Sequence, residues 1–208
     1  MMARRTLLTA LAAAGLIATG ATSAPAAPTH GAPVPGHAAS TVGRFGDGSF
    51  EYPVSPAKSF RTYTIGQSLG PWKVTSGTVD LIGDGFWQAA EGIQSVDLNG
   101  IAPGALSQTF TTTPGRTYTV TYALAGNPGL PEVVKTGQVL VDGQVFQHFT
   151  FDVTGKSATD MGYVRRQVTF QATRSTTTLT FASTTRGTAR GPVIDDVQVR
   201  ECSYCPDF

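Results

Sequence analysis

The chain has 208 residues, with 15 Lys and Arg against 14 Asp and Glu, a formal charge of +1. A balance this close to neutral, with no basic run, argues against nucleic acid and anionic membrane surfaces as partners. Two cysteines are too few for a disulfide scaffold, and a chain of this length can bury a core without such staples.

At the N-terminus Arg4-Arg5 precedes an apolar run from Leu7 to Ala21, and Ala24-Pro25-Ala26 fits the A-x-A cleavage pattern. Residues 1–26 are therefore expected to be a signal peptide, and the mature protein to be secreted and extracellular. The run is short for a spanning helix, which needs about 20 residues. No later segment is more apolar, so no membrane contact is expected after processing. Residues 27–45 are rich in Pro, Ala and Gly and read as a flexible linker.

Residues 46–200 read as one all-β domain. Trp72-Lys73-Val74 starts a strand with Trp72 in the core. Tyr118, Val120, Tyr122 and Leu124 alternate with Thr117, Thr119 and Thr121, and Leu179 and Phe181 alternate with Thr178 and Thr180. Such alternation suits half-buried strands. Asn99-Gly100 and Asp142-Gly143 are hairpin signals, and Pro114-Gly115 marks a further turn. No helical periodicity appears after the signal peptide. Roughly ten short strands point to a β-sandwich or jelly roll. Val79-Asp80-Leu81 and Val96-Asp97-Leu98 look alike, but two tripeptides do not make a repeat.

Acidic motifs bracket this body. Asp47-Gly48-Ser49-Phe50-Glu51 opens it, and Val193-Ile194-Asp195-Asp196-Val197-Gln198-Val199 nearly closes it. Alternation places Asp195 on one face with Val193, Val197 and Val199. A carboxylate on an apolar face needs a cation or several donors. If the first and last strands are neighbours, a structural Ca²⁺ held by Glu51, Asp195 and Ser49 with backbone carbonyls could tie the ends together. The plainer alternative is that Asp195 and Asp196 blunt an edge strand.

Six blocks occur in order: Gly48-Ser49-Phe50-Glu51, Trp87-Gln88-Ala89-Ala90-Glu91-Gly92, Ser95-Val96-Asp97-Leu98-Asn99-Gly100, Ser107-Gln108-Thr109-Phe110, Leu124-Ala125-Gly126-Asn127 and Ile194-Asp195-Asp196-Val197. Together they resemble the choice-of-anchor C family, bacterial relatives of plant cell-wall proteins of unknown function. The resemblance runs from about Gly46 to Arg200 and implies a galactose-binding-like jelly roll. It also implies a structural calcium on Glu51 and Asp195, the positions that match the family's opening Glu and closing Asp. Asp47 stands where the family often has Asn. No surface anchor is seen, which puts wall attachment in doubt.

Sugar sites combine aromatic faces with planar polar groups. Trp87 follows Gly83-Asp84-Gly85 and precedes Gln88 and Glu91, so it is either a loop anchor or a stacking platform. Tyr63 is a second stacking candidate. Gln88, Asn127 and Lys135, the last two flanking the Gly/Pro-rich loop 128–131, are candidate hydroxyl partners. His148 reads as a structural histidine. Enzyme signatures are weak. Gly66-Gln67-Ser68-Leu69-Gly70 matches a nucleophile elbow but lacks a following helix. Asp80, Asp84, Glu91 and Asp97 supply carboxylates for glycoside hydrolysis only if two of them face each other. Cys202 and Cys205, in the tail 201–208, are expected to form a local disulfide.

The expected function is a secreted, non-catalytic polysaccharide-binding module, monomeric, acting at cell walls or plant-type glycans. The alternatives are an envelope protein that binds a partner such as a wall-modifying enzyme, and a glycan esterase or hydrolase.

Overall fold

The computed structural model describes residues 43–129 and 132–202. The predicted signal peptide, the linker up to residue 42 and Cys205 lie outside the described residues, while Cys202 is disulfide-bonded. Among the described residues no helix is long and apolar enough to cross a membrane.

Among the described residues twelve strands form where alternation and β-branched residues favour them. They are β1 (Phe60–Thr64), β2 (Ser68–Leu69), β3 (Trp72–Ser76), β4 (Thr78–Ile82), β5 (Ser95–Asp97), β6 (Ala105–Thr111), β7 (Thr117–Gly126), β8 (Val134–Val141), β9 (Gln144–Asp152), β10 (Val164–Gln171), β11 (Thr176–Ser183) and β12 (Pro192–Glu201). The sequence suggests about ten, because β2 and β5 are too short to show alternation. The first sheet has the order β1-β4-β5-β12-β7-β10, and the second β2-β3-β6-β11-β8-β9. Every pairing is antiparallel. The fold is an all-β sandwich, as expected. Ser68 lies in β2, which turns directly into its neighbour β3, so the helix that a nucleophile elbow requires does not come after it.

The inward residues of both sheets meet in one core. Tyr122 of β7 reaches Phe181 of β11 at 5.0 Å between ring centroids and Phe149 of β9 at 6.1 Å. Trp72 is fully buried, packs against Phe45, Phe50 and Phe181, and donates its Nε1 proton to Asp47 O at 2.9 Å. The indole thereby staples the opening Asp47–Glu51 motif to the second sheet. Burying each such large side chain stabilises the fold by roughly 1.5–3 kcal/mol. His148 points outward from β9 and is exposed.

The Asp142-Gly143 signal is a tight hairpin joining β8 and β9, with φ of 49° and 81° as its two central residues require. Pro114-Gly115 turns the chain from β6 to β7. Asn99-Gly100 is not a hairpin tip. It lies on the crossing from β5 in the first sheet to β6 in the second, and the buried Asn99 amide donates to the carbonyls of Thr185 and Thr188. The closing strand also departs from simple alternation. A bulge between Asp195 and Gln198, with Asp196 at φ 44°, reverses the facing of the rest of β12. Val193 and Asp195 pair with Ala125 and Ala123, whereas Val199 pairs with the core residue Val120. Asp195 therefore shares its face with Val193 but not with Val199.

Candidate functional site

Residues directly opposite on paired strands point to the same face. One such row crosses the first sheet: Thr62 faces Asp80, Asp80 faces Asp97, Asp97 faces Val193, and Val193 faces Ala125. Their neighbours Tyr63, Val79, Leu81, Val96, Ile194 and Leu124 fill the core. The row therefore lies on the face turned away from the second sheet. Asp97, Val193, Ala123, Ala125 and Asp195 are nevertheless at most 2% exposed, because loops cover this face.

The 83–94 loop is the main cover, and three side chains hold it. Trp87 Nε1 donates to Ser95 Oγ at 2.8 Å. Asp195 Oδ2 accepts the N–H groups of Ala90 (2.7 Å) and Glu91 (3.0 Å), while its Oδ1 accepts that of Asp196. Glu51 Oε1 accepts those of Ile93 (2.9 Å) and Gln94 (3.0 Å). Gly92 is required between the two clasps, since a Cβ there would stand 2.3 Å from Glu51 Oε1 and its φ is +61°. The opening Glu and the closing Asp thus converge on one loop. Backbone amides supply the donors that a buried carboxylate demands, so neither group needs an ion to explain its position. Ser49 lies in the opening turn. No group of three or more His, Cys, Asp or Glu side chains suited to a metal forms among the described residues. Burial still pushes Asp195 up to about 7 against its three donors.

Beside this loop runs a groove of about 600 Å³. Phe60, Ile82, Phe86, Trp87 and Ile101 supply its apolar lining, and Thr62, Asp80, Asp97, Asn127 and Arg190 its polar groups. Phe60 and Phe86 stand edge to face at 5.7 Å and remain 46% and 38% exposed. Phe86 also contacts Trp87 at 5.3 Å. Asp97 ties together the loops around the groove. Its Oδ1 accepts from the N–H groups of Asn99 and Gly191, both at 2.9 Å, and its Oδ2 from Asn127 Nδ2 at 2.7 Å. Burial raises Asp97 to about 7 in spite of these donors and also raises Asp80, whose Oδ1 accepts from Thr62 Oγ1 at 2.6 Å.

Of the sugar contacts expected from the sequence, Trp87 and Asn127 reach this groove. Trp87 is only 8% exposed, so it anchors the loop and presents an edge to the groove instead of an open platform. Gln88 sits next door on an exposed surface, where its Oε1 accepts from Met161 N at 3.3 Å. Tyr63 and Lys135 do not belong to the groove. Tyr63 faces the core from β1 because β1 alternates with Thr62 outward. Lys135 is fully buried at the end of β8, its stem against Gly126 and its ammonium donating to the carbonyls of Glu132 and Gly129. Burial lowers its pKa.

Sequence reasoning misses Phe60, Phe86, Thr62 and Arg190, and it singles out Asp80 and Asp97 only as acid–base candidates. A signal does exist. The two Val-Asp-Leu tripeptides each set one Asp against two core residues, so antiparallel pairing of their strands has to bring both carboxylates to the same outer face.

The family described as "Protein of unknown function (DUF642)" matches residues 43–200. The chain belongs to this family. Over 163 residues the DUF642 chain is 28% identical to Halomucin of Haloquadratum walsbyi (strain DSM 16790 / HBSQ001), a match that takes in 76% of this chain. The chain spans about 2% of the length of that relative. Among solved structures, the DUF642 domain is similar to the CBM22-1 xylan-binding domain from Paenibacillus barcinonensis Xyn10C (14% identity, 73% of this chain and 100% of that one, TM-score 0.45). It is also similar to CBM35 from the same organism (15% identity, 67% and 98%, TM-score 0.43). A family 35 carbohydrate binding module from Clostridium thermocellum gives 10% identity, 70% and 95% coverage and a TM-score of 0.42. At these identities and scores the likeness bears on neither ligand nor site.

Proposed function

We propose that this DUF642 domain is a secreted, non-catalytic polysaccharide-binding module of the choice-of-anchor C type, acting at cell walls or plant-type glycans. The observation that carries this reading is the groove on the outer face of the first sheet, where an exposed Phe60–Phe86 pair stands beside polar groups from Thr62, Asp80 and Asn127. Aromatic faces cover the C–H surfaces of a sugar while planar polar groups take its hydroxyls, and a groove suits a chain better than a closed pocket. Binding without cleavage is supported by Asp97, whose two oxygens are occupied by three donors and so do not form an acid–base pair with Asp80. Affinity in a shallow, wet site is expected on the order of 10–1,000 μM.

The test is retention of the intact protein on cellulose, xylan, mannan, pectin and chitin, with released sugar and acetate assayed in parallel. Retention without release supports the reading. Retention on none defeats it, and released product moves the assignment to an enzyme. A second reading, docking of a protein such as a wall-modifying enzyme, is favoured by the exposed Tyr52, Val54 and Ile93 around the Glu51 and Gln94 contacts.

A structural calcium on Glu51, Ser49 and Asp195 is a separate proposal. It would supply positive charge where these carboxylates now accept amide N–H groups, and it stabilises by linkage. Its check is the melting temperature in calcium and in chelator, which differ if the ion binds and coincide if it does not.

A further inference from the structure

Asp80 and Asp97 stand directly opposite each other on β4 and β5, two carboxylates lining one groove, yet their surroundings differ. Asp97 is 1% exposed and saturated: two backbone N–H groups hold Oδ1 and the Asn127 amide holds Oδ2. Asp80 is 8% exposed and receives a single donor, the Thr62 hydroxyl, on Oδ1. Its second oxygen has no hydrogen-bond partner among the described residues. A carboxylate that is more than nine-tenths buried, lines a groove and keeps open acceptor positions is poised for donors that arrive with a ligand.

We propose that Asp80 sets the ligand selectivity of this groove: its open oxygen accepts sugar hydroxyl protons, so the groove takes neutral glycans and rejects chains of uronic acids. The proposal rests on the glycan-binding reading above. Three features carry it. Hydrogen bonds from hydroxyls to a carboxylate are short and about twice as strong as neutral ones, and they hold best where water is displaced. Thr62 fixes the Asp80 carboxylate from one side, so the acceptor is already oriented before ligand arrives. A uronate carboxylate brought into the groove meets the open oxygen of Asp80, where low dielectric strengthens like-charge repulsion.

The experiment is calorimetric titration of the intact protein at constant ionic strength. The probes are xylo-, manno- and cello-oligosaccharides and an oligogalacturonate, used on the wild type, Asp80→Asn and Thr62→Val. Asp80→Asn keeps the shape and an oxygen for Thr62 but removes the charge and replaces the open acceptor with a donor. The wild type should bind at least one neutral series about tenfold or more tighter than the oligogalacturonate. Asp80→Asn should lose about tenfold or more on the neutral ligand while its oligogalacturonate affinity holds or rises. A purely structural role would weaken both ligands together, so the ratio decides. Thr62→Val, which leaves the charge in place but frees its orientation, should weaken neutral binding and keep the preference, and it decides the matter if Asp80→Asn does not fold. Unchanged neutral binding in Asp80→Asn, a parallel loss on both ligands, or a wild-type preference for oligogalacturonate overturns the assignment of Asp80. Failure of the wild type to bind any glycan overturns the glycan-binding reading itself and this inference with it.

Discussion

Phe86→Ala removes one half of the aromatic pair that opens the groove. Phe86 is 38% exposed, and a free Phe presents roughly 200 Å², so about 75 Å² of it is available to a ligand. Covering all of that area at about 25 cal/mol per Å² is worth about 1.9 kcal/mol. A sugar ring that shields half of it recovers about 1 kcal/mol. The variant should therefore lose about 1–2 kcal/mol of binding, a rise in Kd of roughly 5- to 30-fold. The cost to the fold is larger, because the covered part of Phe86, about 125 Å², is worth about 3 kcal/mol at the same coefficient, and its edge contacts with Phe60 and Trp87 go with it. Melting should fall by roughly 6–12 °C in a domain of this size, so binding is read well below the melting temperature of the variant. The assay is calorimetry against whichever glycan the wild type retains. Lys73→Ala, an exposed position on the outer face of the second sheet, serves as a control that should bind normally. If Phe86→Ala is folded and binds as tightly as the wild type, the groove is not the sugar site.

Two further predictions concern the framework that shapes the groove. Asp195→Ala orphans the N–H groups of Ala90, Glu91 and Asp196, and even in chelator it should cost about 2 kcal/mol, lower the melting temperature by roughly 4–8 °C and speed amide exchange at residues 90 and 91. Unchanged melting and protection would mean that the carboxylate does not hold the loop. Asp97 ionises at about 7 when folded against an ordinary carboxyl value of 3.8, so the folded state holds the extra proton between these limits. Its contribution to stability is full below about pH 4 and is lost as pH rises through 7. The slope of melting temperature against pH over this window should be negative and should flatten in Asp97→Asn, whereas equal slopes refute the assignment. Asp80, the Asn127 amide and the buried Lys135 are the groups that bear on this titration.

The sandwich is legible in the sequence because its long strands alternate cleanly. Thr117, Thr119, Thr121, Thr178 and Thr180 face out and Tyr118, Val120, Tyr122, Leu179 and Phe181 face in, and that pattern defines the two layers. Legibility ends where tertiary contacts override the local signal. Asn99 looks like the tip of a turn but is buried to serve two carbonyls of a distant loop. Alternation through Val199 fails at a bulge that only the neighbouring Gly48 explains, since Val197 N donates to Gly48 O and a Cβ at residue 48 would lie 1.8 Å from Val197 O. Lys135 has the composition of a surface hydroxyl partner, yet its strand parity turns it inward, where loop carbonyls receive the ammonium. For the site, the loop positions of Trp87 and Asn127 point to the right region. Phe60 and Phe86 carry no such mark, because nothing local distinguishes a Phe at a groove rim, whether on the edge strand β1 or in the 83–94 loop, from one in the core.

Glycan binding in the groove is tested most directly by mapping where a retained glycan touches the protein, by following backbone amide shifts during titration. The shifts should cluster at residues 60–62, 80–87, 97–101 and 127–128 and around Arg190, and saturate together at micromolar to millimolar ligand. Shifts confined to the threonine-rich outer face of the second sheet, or to the surface around Tyr52 and Ile93, would contradict it.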